Sequence, residues 1–231
     1  MSAHHVHRER RTNQGAENYA KAIYHLQARG DEAVHTSAVA DRLGVTSASA
    51  SAMLKRLADE GLVEYEPYHG ARLTSDGERV ALETIRHHRL IELFLAEVLD
   101  MPWDRVHEEA EVLEHHISEE LEELIAAKLG QPAHDPHGDP IPDRDLAISD
   151  DESVPLTDLE LGERGTFTRV SDSDASMLRY LAARDIQPGA VVVVKGQEPF
   201  GGPVLVELDG RDHPLGPELA RSMRVTRAGS V

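Results

Sequence analysis

Between residues 17 and 27 the stretch ENYAKAIYHLQ sets Tyr19, Ala20, Ile23, Tyr24 and Leu26 at helical spacing. Thr36 and Ser37 offer an N-cap to AVADRLG, Gly44 supplies the permissive backbone that stops it, and Ser47 opens ASASAMLKRLADEG, closed by Gly61. Two short helices around a Gly-Val-Thr turn predict a helix-turn-helix. LVEYEPYHGARLTSDG then alternates apolar and polar positions on both sides of Tyr68-His69-Gly70-Ala71, which predicts a β-hairpin. A hairpin directly after a helix-turn-helix is the wing of a winged-helix module.

From Asp76 to about Leu99 a long helical pattern places Val80, Ile85, Leu90, Leu93, Phe94 and Val98 at apolar positions. Asp100-Met101-Pro102 breaks it, with Pro102 as the first residue of a next helix running to about Ile117. Ser118 caps a further helix, SEELEELIAAKLG, which Gly130-Gln131-Pro132 ends. These three helices carry more apolar surface than one small core absorbs, which predicts a homodimer interface. Residues 131–155 are rich in Pro, Gly and Asp and read as a linker that closes a domain. Beyond them GTFTRV, AVVVVKG, PVLVELDG and SMRVTRA are strand-like runs with one helix at ASMLRYLAARD, the pattern of a small SH3-like barrel. The expected fold is mainly α with β. Its parts are a winged helix-turn-helix domain at 1–75, a helical domain at 76–145 that carries the dimer interface, and an SH3-like domain at 146–231.

Composition narrows the chemistry. The 231 residues include no Cys, so disulfides, thiolate metal sites and cysteine nucleophiles are excluded, and any metal must be held by nitrogen and oxygen. A polar N-terminus and the lack of any run of roughly 18 apolar residues predict a cytoplasmic protein with no membrane partner. Net charge is −18. Residues 1–75 hold 9 Lys/Arg against 9 Asp/Glu, whereas residues 76–150 hold 6 against 20. The winged-helix module is therefore neutral and free to approach phosphate despite the acidic total.

On the second helix of that module, Ala50, Met53, Leu54 and Leu57 form the core stripe. Thr46, Ser47 and Ser49 at its start, with Lys55 and Arg56 further along, are the candidate DNA contacts: hydroxyls for base edges, cations for phosphates. A second constellation lies in HEEAEVLEHHISEE. There Val106, Ala110, Leu113 and Ile117 make a buried stripe, and His107, Glu111, Glu114 and His115 line up along its edge. His88 and Glu92 sit at i and i+4 on the preceding helix, so antiparallel packing lets the two sets meet. Imidazole and carboxylate without thiolate suit Mn²⁺, Fe²⁺, Co²⁺, Ni²⁺ or Zn²⁺. Peptidase signatures are absent: H-E-x-x-H needs His where Glu111 stands, and no enzyme is expected.

Taken together, ENYAKAIYHL, the helix-turn-helix with its wing, RHHRLIELFL, VHEEAEVLEHHIS and DPHGDPIP resemble the diphtheria-toxin-repressor family of metal-dependent transcriptional repressors, in order over about residues 15–145. The tail is similar to that family's FeoA-type domain. The resemblance implies a homodimer that binds double-stranded palindromic operator DNA when a divalent metal is bound and represses metal-uptake genes. One implied metal site comprises His88, Glu92 and His107, joined by acidic groups of the C-terminal domain, with Asp172 and Asp174 in the corresponding stretch. The other comprises Glu111, Glu114 and His115 with the residue at Asn18, which departs from the family pattern and has Glu17 beside it as a substitute. Glu at position 111 points to Mn²⁺, with Fe²⁺ the alternative. The implied mechanism has metal drawing the helix of Asn18 onto that of Glu111, which fixes two winged helices at the separation of successive major grooves. A different class of reading is a winged-helix regulator that responds to a small organic ligand.

Overall fold

In a computed structural model, described for residues 13–27, 33–149, 151–172 and 174–229, the chain forms two compact units, 1–85 and 86–231. The first contains α1 (Gln14–Gln27), α2 (Thr36–Leu43), α3 (Ser47–Asp59), β1 (Val63–Glu66) and β2 (Gly70–Leu73), followed by the start of α4 (Ser75–Leu99). Gly44 turns the chain between α2 and α3 at φ 64°, a left-handed conformation that costs glycine little. Thr46 caps α3, its Oγ1 accepting the N–H of Ser49 at 3.1 Å. Strands β1 and β2 pair antiparallel from Val63↔Leu73 to Glu66↔Gly70, which is the expected wing. Ile23, Val39, Ala50, Leu54 and Leu57 are buried at the centre of this unit.

The second unit continues α4 and adds α5 (Val106–Leu113) and α6 (Glu119–Lys128). Ile91 and Leu95 of α4 pack on Val106 and Ala110 of α5, while Leu90 and Leu93 pack on Ile125 and Ala126 of α6. Two different faces of α4 are thus covered, one by α5 and the other by α6. The helix read from Pro102 is shorter than expected: residues 102–105 form a turn, Arg105 N–H donates to the Pro102 carbonyl at 2.8 Å, and α5 ends at Leu113. Ser118 caps α6 as the sequence indicates, accepting from Leu121 N–H at 3.3 Å.

The C-terminal portion is a six-stranded antiparallel sheet of order β3-β8-β4-β5-β6-β7. Its strands are β3 (Val154–Pro155), β4 (Arg164–Val170), β5 (Val191–Gln197), β6 (Val204–Leu208), β7 (Arg211–Leu215) and β8 (Met223–Arg227), with α7 (Ala175–Ala182) and α8 (Pro217–Ser222). Register shifts on β4 after Phe167 and on β5 after Val194 bend the strands as closure of a small barrel requires. Phe167, Leu178, Val192, Leu215 and Met223 fill the interior.

Within 131–155, expected to be a linker, residues 135–142 are instead packed into the unit's interior. Asp135, His137 and Asp139 are all buried. His137 carbonyl accepts Val170 N–H at 3.0 Å, and Gly138, at φ 89°, lies so close to β4 that an added Cβ would fall 1.8 Å from the Thr168 carbonyl oxygen. Only glycine lets the loop lie flat against the strand. Gly138→Ala should therefore lower unfolding free energy, measured by denaturant titration, by clearly more than the roughly 1 kcal/mol of a positive-φ alanine alone. Gly130→Ala, whose Cβ meets nothing within 4 Å at φ 78°, is the comparison that isolates the backbone cost.

Candidate metal centre

Glu92, wholly excluded from solvent on α4, organises the polar interior of the second unit. Helical spacing puts His88 one turn before it, with Nε2 3.0 Å from Glu92 Oε1. From α5, His107 brings Nδ1 to 3.2 Å of the same oxygen and 3.1 Å of His88 Nε2. The loop after β4 adds Asp172, whose Oδ2 lies 3.1 Å from His107 Nδ1 and 4.0 Å from His88 Nε2.

The other Glu92 oxygen faces the Pro-rich loop. His137 Nε2–H donates to the Trp103 carbonyl at 2.8 Å, which leaves Nδ1 directed at Glu92 Oε2, 3.6 Å away. Neither of those two buried atoms has a hydrogen-bond partner. A neutral imidazole lone pair and a carboxylate oxygen both accept, so this buried pair needs a proton or a cation. Asp135 lies close enough that one oxygen or nitrogen from each of Glu92, Asp135 and His137 falls within 4.8 Å of the others. The set His88, Glu92, His107 and Asp172 meets the same measure. Asp135 and His137 were missed in the sequence. Their signal was the alternation Asp135-x-His137-x-Asp139 inside a stretch whose prolines and glycines read as linker.

Electrostatics follow from this crowding. Burial pushes the Glu92 carboxyl up, but His88, His107 and His137 outweigh it and hold it well below the usual carboxylate range. Burial lowers His107, yet hydrogen bonds to Asp172 and Glu92 raise it to about 10; His137, likewise opposed by burial, is raised by Glu92 to about 9. For Asp135 burial and the Glu92 charge act together, and its carboxyl is pushed well up.

A second grouping adjoins the first through His88. Its Nδ1 is 2.5 Å from Glu114 Oε2 and 3.8 Å from Glu111 Oε1, and Glu114 Oε1 is 3.3 Å from His115 Nε2. Glu111 and Glu114 thus meet around His88, and His115 stands behind them at the other Glu114 oxygen. Glu17 and Asn18 lie on α1 in the first unit, where the Asn18 Oδ1 is buried without a hydrogen-bond partner. Asp174 does not join either group: exposed, it caps α7 by accepting the Ser176 N–H at 2.8 Å. Thr46, Ser47, Ser49, Lys55 and Arg56 are exposed on and just before α3. Arg56 Nε is engaged by Glu60 at 2.8 Å, which makes Lys55 the freer of the two cations for a phosphate.

An outer layer holds these groups. Arg86 pairs with buried Glu122 of α6 at 2.5 Å and donates to the Pro142 carbonyl at 2.6 Å, and His87 Nε2 lies 3.0 Å from the second Glu122 oxygen.

Comparison with known proteins adds independent findings. The sequence profile described as iron dependent repressor, N-terminal DNA binding domain, matches residues 12–71; that described as iron dependent repressor, metal binding and dimerisation domain, matches 74–143; and the FeoA domain matches 154–227. The iron-dependent repressor IdeR of Mycobacterium leprae is 30% identical over 225 residues, covering 91% of this chain and 96% of its own. The diphtheria toxin repressor of Corynebacterium glutamicum is 27% identical over 221 residues, 91% and 95% of the two chains. Among solved structures, a manganese-dependent transcriptional repressor in complex with manganese superposes with TM-score 0.85 at 39% identity, covering 92% of this chain and all of that one. ScaR with bound Zn²⁺ gives 0.78 at 28%, covering 94% and 100%.

Arg86→Ala leaves Glu122 buried with only His87 for compensation. It should cost about 3 kcal/mol of stability in chelator-treated protein, read from denaturant unfolding.

Proposed function

Because the chain belongs to the iron-dependent repressor family of metal-dependent transcriptional repressors, we propose that a divalent cation, Mn²⁺ ahead of Fe²⁺, switches on its binding to palindromic operator DNA of metal-uptake genes. The observation that carries the cation reading is the convergence of His88, His107, His137 and Asp135 on the wholly buried Glu92, with Asp172 at His107 and His137 Nδ1 3.6 Å from Glu92 Oε2. A bound cation would take the place of the protons that these imidazoles otherwise hold against the carboxylates. Glu92, Asp135, His137 and Asp172, with His88 and His107, would hold one ion; Glu111, Glu114 and His115 would help to hold the other. Asp174 is not carried into this assignment. Co²⁺, Ni²⁺ and Zn²⁺ suit the same nitrogen and oxygen donors in vitro.

Oxygen-rich donor sets without thiolate favour the harder Mn²⁺. The manganese-named structure at 39% identity supports that choice, and the iron-named relatives keep Fe²⁺ as the second reading. The residues of this chain have distinct tasks. Trp103 carbonyl fixes the His137 tautomer that aims Nδ1 inward, and His88 joins the two groups through its two ring nitrogens. Coupling to DNA is a linkage: an ion that binds the DNA-competent state more tightly raises operator affinity by the same factor. Ser47 and Ser49 at the start of α3 would meet base edges and Lys55 a phosphate. The three-part division 1–75, 76–145 and 146–231 describes these tasks as reader, sensor and accessory barrel.

The dimer face we assign to Val98 and Leu99 of α4, Val112 and Leu113 of α5, and Leu121 and Leu124 of α6, all exposed large apolar residues of the second unit. Isolated surface leucines are ordinary, but six on three consecutive helices call for a partner surface. No helix among the described residues is long and apolar enough to cross a membrane.

Three measurements test this reading. In gel shifts with the protein's own promoter DNA, chelated protein should leave the probe free, and Mn²⁺ should restore the complex at lower free concentration than anaerobic Fe²⁺; retardation by chelated protein would refute metal activation. Lys55→Ala should weaken the metal-loaded complex on all sequences alike and reduce the slope of log affinity against log salt by about 1. Leu124→Glu, at the most exposed of the six apolar positions, should shift the mass measured by light scattering from dimer towards monomer.

A further inference from the structure

Asp139 stands where three segments of the second unit meet, and two arginines share its Oδ1. Arg169 of β4 brings Nε to 2.8 Å, and Arg89 of α4 brings Nη2 to 3.3 Å. The carboxylate is 7% exposed, so both pairs operate with little screening by water. Their positions in the chain matter: Arg89 precedes Glu92 by three residues, and Arg169 precedes Asp172 by three. One carboxylate therefore ties the helix that bears the central acid to the strand that leads to the barrel's acid.

The tie is braced on both sides. Outward, Arg169 Nη1 donates to Asp151 Oδ2 at 3.0 Å, where Arg224 Nε of β8 also lies at 3.4 Å while donating to Ser153 Oγ at 2.8 Å. Inward, Arg89 donates to the Pro140 carbonyl and its Nε lies 3.8 Å from Asp135 Oδ2. Such bracing has an evident load. Asp172 comes from the barrel into a region that already holds Glu92; burial raises the Asp139 carboxyl, Arg89 and Arg169 lower it, and the charges of Asp172 and Glu92 raise it further. Glu92 repels Asp172 while His107 holds it, and the two guanidinium groups anchor the strand that leads to it from the other side.

We propose that Arg89, Asp139 and Arg169 form a positioning clamp that holds the end of β4 against α4 and so delivers Asp172 from the barrel to the cation. The clamp rests on the assignment of Asp172 as a ligand made above. Arg169 touches no ion itself, and its effect passes through the placement of Asp172, since a ligand displaced by about 0.5 Å no longer gives productive geometry.

The experiment uses full-length protein, Mn²⁺ titrated calorimetrically, and the visible absorption of the Co²⁺-loaded form as a report on coordination. Asp172→Asn should weaken Mn²⁺ binding at least about tenfold and alter the Co²⁺ bands. Arg169→Gln should reproduce both changes, Arg169→Lys should restore part of the affinity, and the Arg169→Gln/Asp172→Asn double variant should bind no more weakly than Asp172→Asn alone. If Arg169→Gln does not fold, Asp139→Asn carries the same comparison. Wild-type binding and bands in Arg169→Gln, or losses that multiply in the double variant, would overturn the clamp while leaving Asp172 a ligand. Wild-type binding by Asp172→Asn would remove the ligand assignment and the clamp together.

Discussion

A carboxylate sealed from water in the middle of α4 is the constraint on which the second unit depends. Isolated, the ionised Glu92 side chain would be opposed by several kcal/mol of desolvation. It stays charged because imidazoles from three places converge on it: His88 from its own helix, His107 from α5 and His137 from the loop that follows α6. Each of those segments is thereby fixed relative to α4, and Asp172 is fixed in turn through His107. Apolar contacts with α5 and α6 set the spacing of the helices, but only the polar convergence specifies which turn of one helix faces which turn of the other.

Periodicity made most of this fold legible. α1 to α4, α6, the wing and the strands around Phe167, Val192, Val206 and Val225 all carry regular apolar spacing, and turns or caps stand where Gly44, Ser118 and Gly130 indicated, whereas Thr36 and Ser37 lie inside α2 behind an uncapped His35 and Thr46 caps the helix that Ser47 opens. α5 was overextended because Pro102 favours a first helical turn on local grounds, whereas its neighbours serve a tertiary purpose. Trp103 must present its carbonyl to His137, and Arg105 enters α5 at φ −126° without a side-chain cap. Local preference yields there to a long-range hydrogen bond.

The candidate site was half legible for a related reason. His88, Glu92, His107, Glu111, Glu114 and His115 lie on or beside helices, where spacing alone reveals a shared edge. Asp135 and His137 have no period to betray them; the backbone between Pro132 and Pro142 is irregular and is held in place by Asp135 itself, whose Oδ1 accepts the N–H groups of His137 at 2.8 Å and Asp139 at 2.9 Å. Asp172 and Asp174 looked equivalent in SDSDAS, and only the direction of the chain leaving β4 separates them. One reaches His107, whereas the other is spent on the first turn of α7.

Charge balance in the interior explains why this arrangement answers to a cation at all. Among the described residues the buried acids are Glu92, Glu114, Glu122, Asp135 and Asp139, while the buried permanent bases are Arg86 and Arg89. Arg86 is committed to Glu122 and Arg89 to the loop with Asp135 and Asp139, so the described partners of Glu92 are imidazoles. An imidazole offers a proton or a lone pair, and the lone pair can be given to a metal ion. Guanidinium in place of His88 or His137 would satisfy the same carboxylates with a charge that never leaves, and the interior would be stable and unresponsive. With imidazoles rather than guanidinium beside Glu92, the interior is of the kind that an exchangeable cation could complete.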